Sequence, residues 1–380
     1  MLSVFSFGQE DSSKVVTTSF NFGGYVKADY LFSQYNNGEV GSTSPLRDIH
    51  LPSQIPVGPK EENLDGDFHV KESRFNFEVI TDKFGHPIHG FLELDFLLSG
   101  QGDEKVSNSY SPRIRHFYFD YEKMLFGQTW SNFMIVVVPE DLDFVAAAEG
   151  IVFIRQPQFR FKKGTFSFSL ENPETTLNHD GGSATFITET GFVPDLTMKK
   201  QFNLKNGVWY LTGIGRQLHN KDSLGTSTNW GLGLSTGGKI NVGAKGDDIR
   251  MVYTVGTGLG RYLGLGFVSS GVLTADRIER INNYNGYVAY NHYWSQVWCS
   301  SLNASGYYVE NPNSGGGGLN KIAYSLSLNL KFKPAKELML GAEYMRGYRE
   351  LVDGTNGSFD RIQISAKYLF GYNNSEVYEK

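Results

Sequence analysis

The sequence predicts an all-β protein: a transmembrane antiparallel β-barrel of about 16 strands with one loop folded into its bore. Three observations predict it. Aromatic residues make up 14% of the chain and glycine 44 of its 380 residues, with 28 Phe and 21 Tyr, a composition that suits many strands and turns. Apolar and polar residues alternate over runs often about 11–14 residues long, beyond the usual globular strand. One interval of roughly 16–19 residues then interrupts a series of short hairpins, and intervals of that length are usually functional.

The elements follow in order. Residues 1–18 form an N-terminal segment. Its first ten residues have an apolar patch but neither a basic n-region nor a full h-region, so it is at most the remnant of a secretory signal. The barrel is expected over 19–370. In 19–32, Phe20, Phe22, Val26, Tyr30 and Phe32 share one face, and Asn21, Lys27 and Asp29 share the other. Residues 39–64 carry prolines at 45, 52, 56 and 59 and cannot be a central strand; they belong outside the barrel or over its mouth. Alternation resumes over 67–80, 88–99, 110–121 and 123–130. The long interval, 132–150, is the expected constriction loop. Further strands are expected at 150–162, 164–172, 195–203, 207–217, 229–236, 248–256, 284–293, 295–309, 321–333, 337–348 and 359–370. The run 321–333 has the cleanest pattern, with Ile322, Tyr324, Leu326, Leu328, Leu330 and Phe332 opposed to Lys321, Ser325, Asn329 and Lys331. Turns alternate short and long, as when one rim has tight turns and the other long loops. Residues 371–380 are left as a C-terminal tail.

A net charge of −5 argues against a nucleic-acid partner. No run approaches the ~20 apolar residues of a spanning helix, and mean hydropathy is −0.32. Neither fact bears on a barrel, whose strands turn half their residues toward water. The lone Cys299 rules out an internal disulfide framework. Mid-strand charges such as Arg74, Glu93, Asp95 and Arg361, with aromatics near strand ends such as Trp130, Trp230, Trp294 and Trp298, favour lipid on the apolar face over the core of a soluble sandwich.

Several motifs carry no chemistry. Gly233-Leu234-Ser235-Thr236-Gly237 has the Gly-x-Ser-x-Gly form but lies at a strand end, without the strand-to-helix elbow a nucleophile needs. The eight histidines lack zinc-ligand spacing. No metal, cofactor or catalytic residue is expected. Two rival classes remain: an outer-membrane barrel enzyme of the phospholipase type, which needs a Ser–His pair near a rim, and a soluble carbohydrate-binding β-protein.

The candidate functional residues are charges of the bore. Arg74, Arg113, Arg115, Arg160, Arg216, Arg250 and Arg361 form an expected basic lining whose guanidinium forks suit carboxylates or phosphates. The bland alternative is that they only pair with the wall acids Glu72, Glu93 and Asp95. Glu140, Asp141 and Asp143 form an expected acidic side of a transverse field; their bland alternative is to hold the loop in place. Parity complicates the lining. Arg113 and Arg115 cannot face inward in a regular strand without bringing Phe117 and Phe119 with them and sending His116 and Asp120 outward, unless a bulge or a subunit interface intervenes. Arg155 and Arg160 have opposite parity.

The chain resembles the DcaP-like family of Gram-negative porins. The resemblance is carried by Leu51-Pro52-Ser53-Gln54-Ile55-Pro56-Val57, Lys71-Glu72-Ser73-Arg74-Phe75, Arg113-Ile114-Arg115-His116, Gly127-Gln128-Thr129-Trp130-Ser131-Asn132-Phe133 and Arg155-Gln156-Pro157-Gln158, within roughly residues 20–370. It implies a homotrimeric, 16-stranded diffusion channel of the bacterial outer membrane, narrowed by its third loop. It also implies outer-membrane lipid around the barrel and small anionic or polar solutes, dicarboxylates among them, within it. Barrels of this kind end on an aromatic residue, a role Phe370 fits.

Overall fold

The computed structural model describes residues 16–82, 85–98, 110–188, 191–222, 225–243, 246–275 and 277–378. Most of the expected N-terminal segment lies outside them.

Strand β1 spans Val16–Tyr35. Strand β2 comes in two pieces, Asn63–His69 and Arg74–Thr81, which pair end to end with the same strand β1. Then follow β3 (Ile88–Asp95), β4 (Arg113–Tyr121), β5 (Met124–Trp130), β6 (Arg155–Lys163), β7 (Phe166–Glu171) and β8 (Asp195–Leu204). The second half holds β9 (Gly207–Asp222), β10 (Gly225–Val242), β11 (Asp247–Thr257), β12 (Asn282–Tyr293), β13 (Trp298–Glu310), β14 (Asn320–Ala335), β15 (Leu338–Leu351) and β16 (Asn356–Tyr378). Every neighbour is antiparallel, and β16 pairs with β1, so the sheet closes into a barrel of 16 strands. The last strand runs on past Phe370 to Tyr378, hydrogen-bonded along β1. Four short strands, Thr176–His179, Thr185–Ile187, Gly271–Leu273 and Ile278–Arg280, make a separate small sheet from two long loops.

The wall is inside-out relative to a water-soluble sheet. On β14 and β16, Leu326, Leu328, Leu330, Ile362 and Ile364 are about half exposed, whereas Ser325, Ser327, Asn329, Lys331, Arg361 and Gln363 are buried. Apolar groups outside and hydrogen-bonded polar groups within suit hydrocarbon around the barrel, and closure leaves no open edge. Ser235 of the Gly-x-Ser-x-Gly run is buried within β10 and accepts a hydrogen bond from Thr254 at 2.8 Å; no elbow surrounds it.

The 258–281 loop and the long 36–62 loop both fold into the mouth. Leu46, Ile49 and Ile55 pack with Tyr35, Met345 and Phe359. Prolines 45 and 52 open two single-turn 3-10 helices, where the missing N–H costs nothing.

Gly127 shows what the specific run around Trp130 encodes locally. Its φ is +124°, and a Cβ there would lie 2.4 Å from the Phe117 carbonyl oxygen and 2.7 Å from the Tyr118 Cα. Gly127→Val is therefore expected to cost at least about 3 kcal/mol through strain and overpacking. It should abolish the heat-modifiable folded band in a refolding assay; a normal band would show that β5 can move away from β4.

Candidate pore constriction

The loop after β5 leaves the wall at Ser131 and returns at β6. Between them it crosses the bore and docks on the opposite side. Glu140 lies 2.7 Å from Arg250 and within 3.8 Å of Lys331 and Lys333. Asp141 accepts from Ser301 at 3.1 Å, Asn303 at 3.3 Å and Ser327. Asp143 accepts from the His50 backbone N–H at 2.9 Å and stands 3.8 Å from Arg361. On β15, Glu343 accepts from the backbone N–H groups of Leu142 at 2.6 Å and Asp143 at 3.1 Å.

Glu149 is a further anchor that sequence reasoning missed. It is fully buried, lies 2.6 Å from Nε2 of the equally buried His50, and accepts from Ser325 and Ser305. Phe133, Val145 and Ile151 of the loop share an apolar cluster with Leu259, Tyr262 and Phe267 of the 258–281 loop. Three loops thus fill one side of the mouth as a composite plug.

The loop carboxyls respond to this environment in two directions. Burial pushes Asp141 above the ordinary carboxylate value, although Ser327 and Ser301 oppose it. Burial likewise raises Asp143 against the pull of Arg361. For Glu140, burial is overcome by Lys331 and Arg250, and its value falls. For Glu149, burial is overcome by His50 and the serine hydroxyls, and its value also falls.

The other side of the bore is the arginine wall of β2 to β6. One extra residue sits in β4: Glu93 pairs with His116 and Leu94 with Ile114. Arg115 is the bulged residue. The bulge resolves the parity conflict. Arg115 and His116 are both buried, whereas Phe117 and Phe119 are about half exposed on the outer face. Arg113 holds Asp95 with both prongs at 2.8–2.9 Å. Arg115 bridges Glu93 at 2.6 Å and Asp95 at 2.8 Å, and Arg74 is 3.8 Å from Glu93. The ring of Phe144, at the tip of the constriction loop, faces all three guanidiniums at 5.6 Å (Arg74), 5.8 Å (Arg113) and 5.1 Å (Arg115).

Arg155 joins them and was absent from the expected lining. Its guanidinium lies 4.2 Å over Trp130 and 5.3 Å over Phe153. The buried Nε groups of Arg74 and Arg155 have no hydrogen-bond partner among the described residues. Between this wall and the loops lies a space of about 410 Å³, lined among others by Arg113, Phe144, Phe153, Arg155 and Leu265.

The remaining arginines of the expected lining are placed differently. Arg160 donates to the Trp130 carbonyl and to Gln158. Arg216, fully buried, grips the carbonyls of Glu174 and Leu259 and stands 3.4 Å from Asp195. Arg361, also buried, donates to the Leu46 carbonyl at 2.5 Å. Arg250 pairs with Asp248 and Glu140. These four serve loop and wall acceptors, because carbonyls and carboxylates folded into a barrel still require donors. Glu72 is likewise engaged, by Lys27 and by Tyr25 at 3.1 Å.

A closed barrel with an apolar exterior, a charged interior and a bore partly filled by its own loops defines an outer-membrane channel of the porin class. The chain belongs to the DcaP outer membrane protein family, whose model matches residues 65–370. Among solved structures, the outer membrane channel DcaP of Acinetobacter baumannii aligns with a TM-score of 0.74 at 22% identity, covering 93% of this chain and 97% of that one. OmpT of Vibrio cholerae follows with a TM-score of 0.56 at 12% identity, over 96% of this chain and 100% of the other. OmpF of Salmonella typhi gives 0.55 at 12% identity, over 92% and 97%. These three share the fold. No curated protein sequence matches the chain. The protein is thus an outer-membrane β-barrel channel.

Proposed function

We propose that the channel passes small hydrophilic solutes by diffusion, with no reaction and no cofactor, and that it favours small anions such as dicarboxylates. The supporting observation is a charge imbalance on the arginine wall. Four guanidiniums, Arg74, Arg113, Arg115 and Arg155, stand against two carboxylates, Glu93 and Asp95. The loop acids, by contrast, are held on the far wall. An excess of two positive charges in a low-dielectric passage attracts anions and repels cations.

The test is the reversal potential of the purified channel in planar bilayers under a KCl gradient, followed by titration with succinate. An anion-selective potential and succinate-dependent interruption of the current are expected. Cation selectivity would overturn the reading.

We further propose a homotrimer whose contacts use β3 to β7. These strands have only 8, 9, 7, 9 and 6 residues. At ~3.3 Å per residue and a tilt near 40° they rise only about 15–23 Å, short of an apolar band ~25 Å tall. A neighbouring subunit would cover what lipid cannot. The same sector carries the outward rings of Phe117 and Phe119.

A further inference from the structure

We infer that the space beside the arginine wall is built for organic anions that carry an apolar body, medium-chain monocarboxylates above all; this rests on the anion-channel reading. The space has a mixed lining. Arg113, Arg155 and Arg261 share it with Leu98, Phe144, Phe153 and Leu265. A compact anion there meets the guanidiniums but leaves the apolar groups uncovered. An anion with a short hydrocarbon tail keeps its carboxylate on the guanidiniums and removes that tail from water against the leucines and phenylalanines.

The backbone supplies an independent observation. Among the described residues, the non-glycine positions with positive φ are Leu98 (58°), Glu122 (53°), Ala147 (60°) and Leu265 (57°). Left-handed backbone is unfavourable for a side chain as large as leucine, and glycine would avoid the cost. Leu265 stands between Gly264 (φ 55°) and Gly266 (φ 75°). The loop therefore uses glycine on both sides and keeps leucine at the position that lines the space. Both left-handed leucines among the described residues line this space, and both also line the neighbouring one beside the 42–54 segment, which points to a requirement for an apolar surface there.

The experiment is current interruption of the intact channel in planar bilayers by acetate, by hexanoate and by neutral hexanamide, in the native protein and in Leu265→Gly. Glycine suits the left-handed backbone and removes only the side chain. Four added methylenes, partly buried, should let hexanoate act at about one-tenth the concentration of acetate. Hexanamide should act at least about tenfold more weakly than hexanoate, since it lacks the charge. In Leu265→Gly, hexanoate should come within about twofold to threefold of acetate. Acetate and hexanoate acting alike on a native channel that remains anion-selective would overturn this inference and leave the anion reading standing. A native channel without anion selectivity would overturn both. The native comparison stands whether or not the variant assembles.

Discussion

Glu149→Ala is expected to release the constriction loop and raise single-channel conductance by about twofold or more. Glu149 and His50 are both fully buried and belong to different loops, and their contact ties the 36–62 loop to the constriction loop. Removing one partner of a buried pair costs about 3–5 kcal/mol, because the other is left without compensation. Nδ1 of His50 already lacks a partner among the described residues, so its ring would be stranded. A shift of that size is enough to change which loop position dominates. Ser305 and Ser325 of the wall also bond Glu149, but the strand ladders do not depend on it, so heat-modifiable mobility should persist. Unchanged conductance from a folded variant would show that Glu343, through the Leu142 and Asp143 N–H groups, suffices to hold the loop.

Acid should reach the same state, and the sign can be worked out. Glu149 and Glu140 lie below the ordinary carboxylate value, so each contributes stability above that value that is lost as pH falls through the lowered one. Asp141 and Asp143 are raised by burial; they protonate first, and the folded state gains from their protonation. Conductance should therefore stay level from neutral pH through the ordinary carboxylate range and rise only below it. A rise already within that range, measured in a conductance–pH series, would assign the latch to the raised pair instead.

Much of this architecture was legible in the chain because alternation reports directly on which face meets water. The run from Lys321 was expected to turn Tyr324, Leu326 and Leu328 outward, and it does. What alternation cannot carry is a change of phase or a contact made by backbone. Arg113, Arg115, His116 and Asp120 announced a parity conflict; a bulge was one resolution, and only the pairing of Glu93 with His116 fixed it at Arg115. Arg216 and Arg361 read as lining because their partners are carbonyls of Leu259 and Leu46, and a carbonyl has no signature in sequence. Arg155 begins its strand, where parity no longer dictates direction, so its stacking on Trp130 had no signal beyond the adjacent motif. The 36–62 loop was recognisable as no strand, but its insertion beside the constriction loop depends on His50 meeting Glu149, 99 residues away.

Neutralising Arg74 and Arg155 together, as Arg74→Gln with Arg155→Gln, is expected to erase anion selectivity. The native wall sets four guanidiniums against two carboxylates; the double variant sets two against two. A unit charge some 6 Å from a passing ion contributes about 1–3 kcal/mol at an effective dielectric constant of 20–40. Salt screens charges beyond ~10 Å at 0.1 M but protects poorly against one lining the passage. The anion-to-cation permeability ratio should therefore fall about tenfold or more, toward unity, in reversal potentials under a KCl gradient. These two arginines are the informative choice because each has a buried Nε without a partner among the described residues, whereas removing Arg113 or Arg115 would strip the buried Asp95 and confound charge with stability. The reciprocal change gives the control. Glu93→Gln leaves an excess of three positive charges and should raise the ratio, and Phe144→Ala leaves the charge untouched and should preserve its sign. If the double variant kept the native reversal potential while Glu93→Gln shifted it, Arg113 and Arg115 would be the residues that ions sense, and Arg74 and Arg155 would lie outside the conduction path.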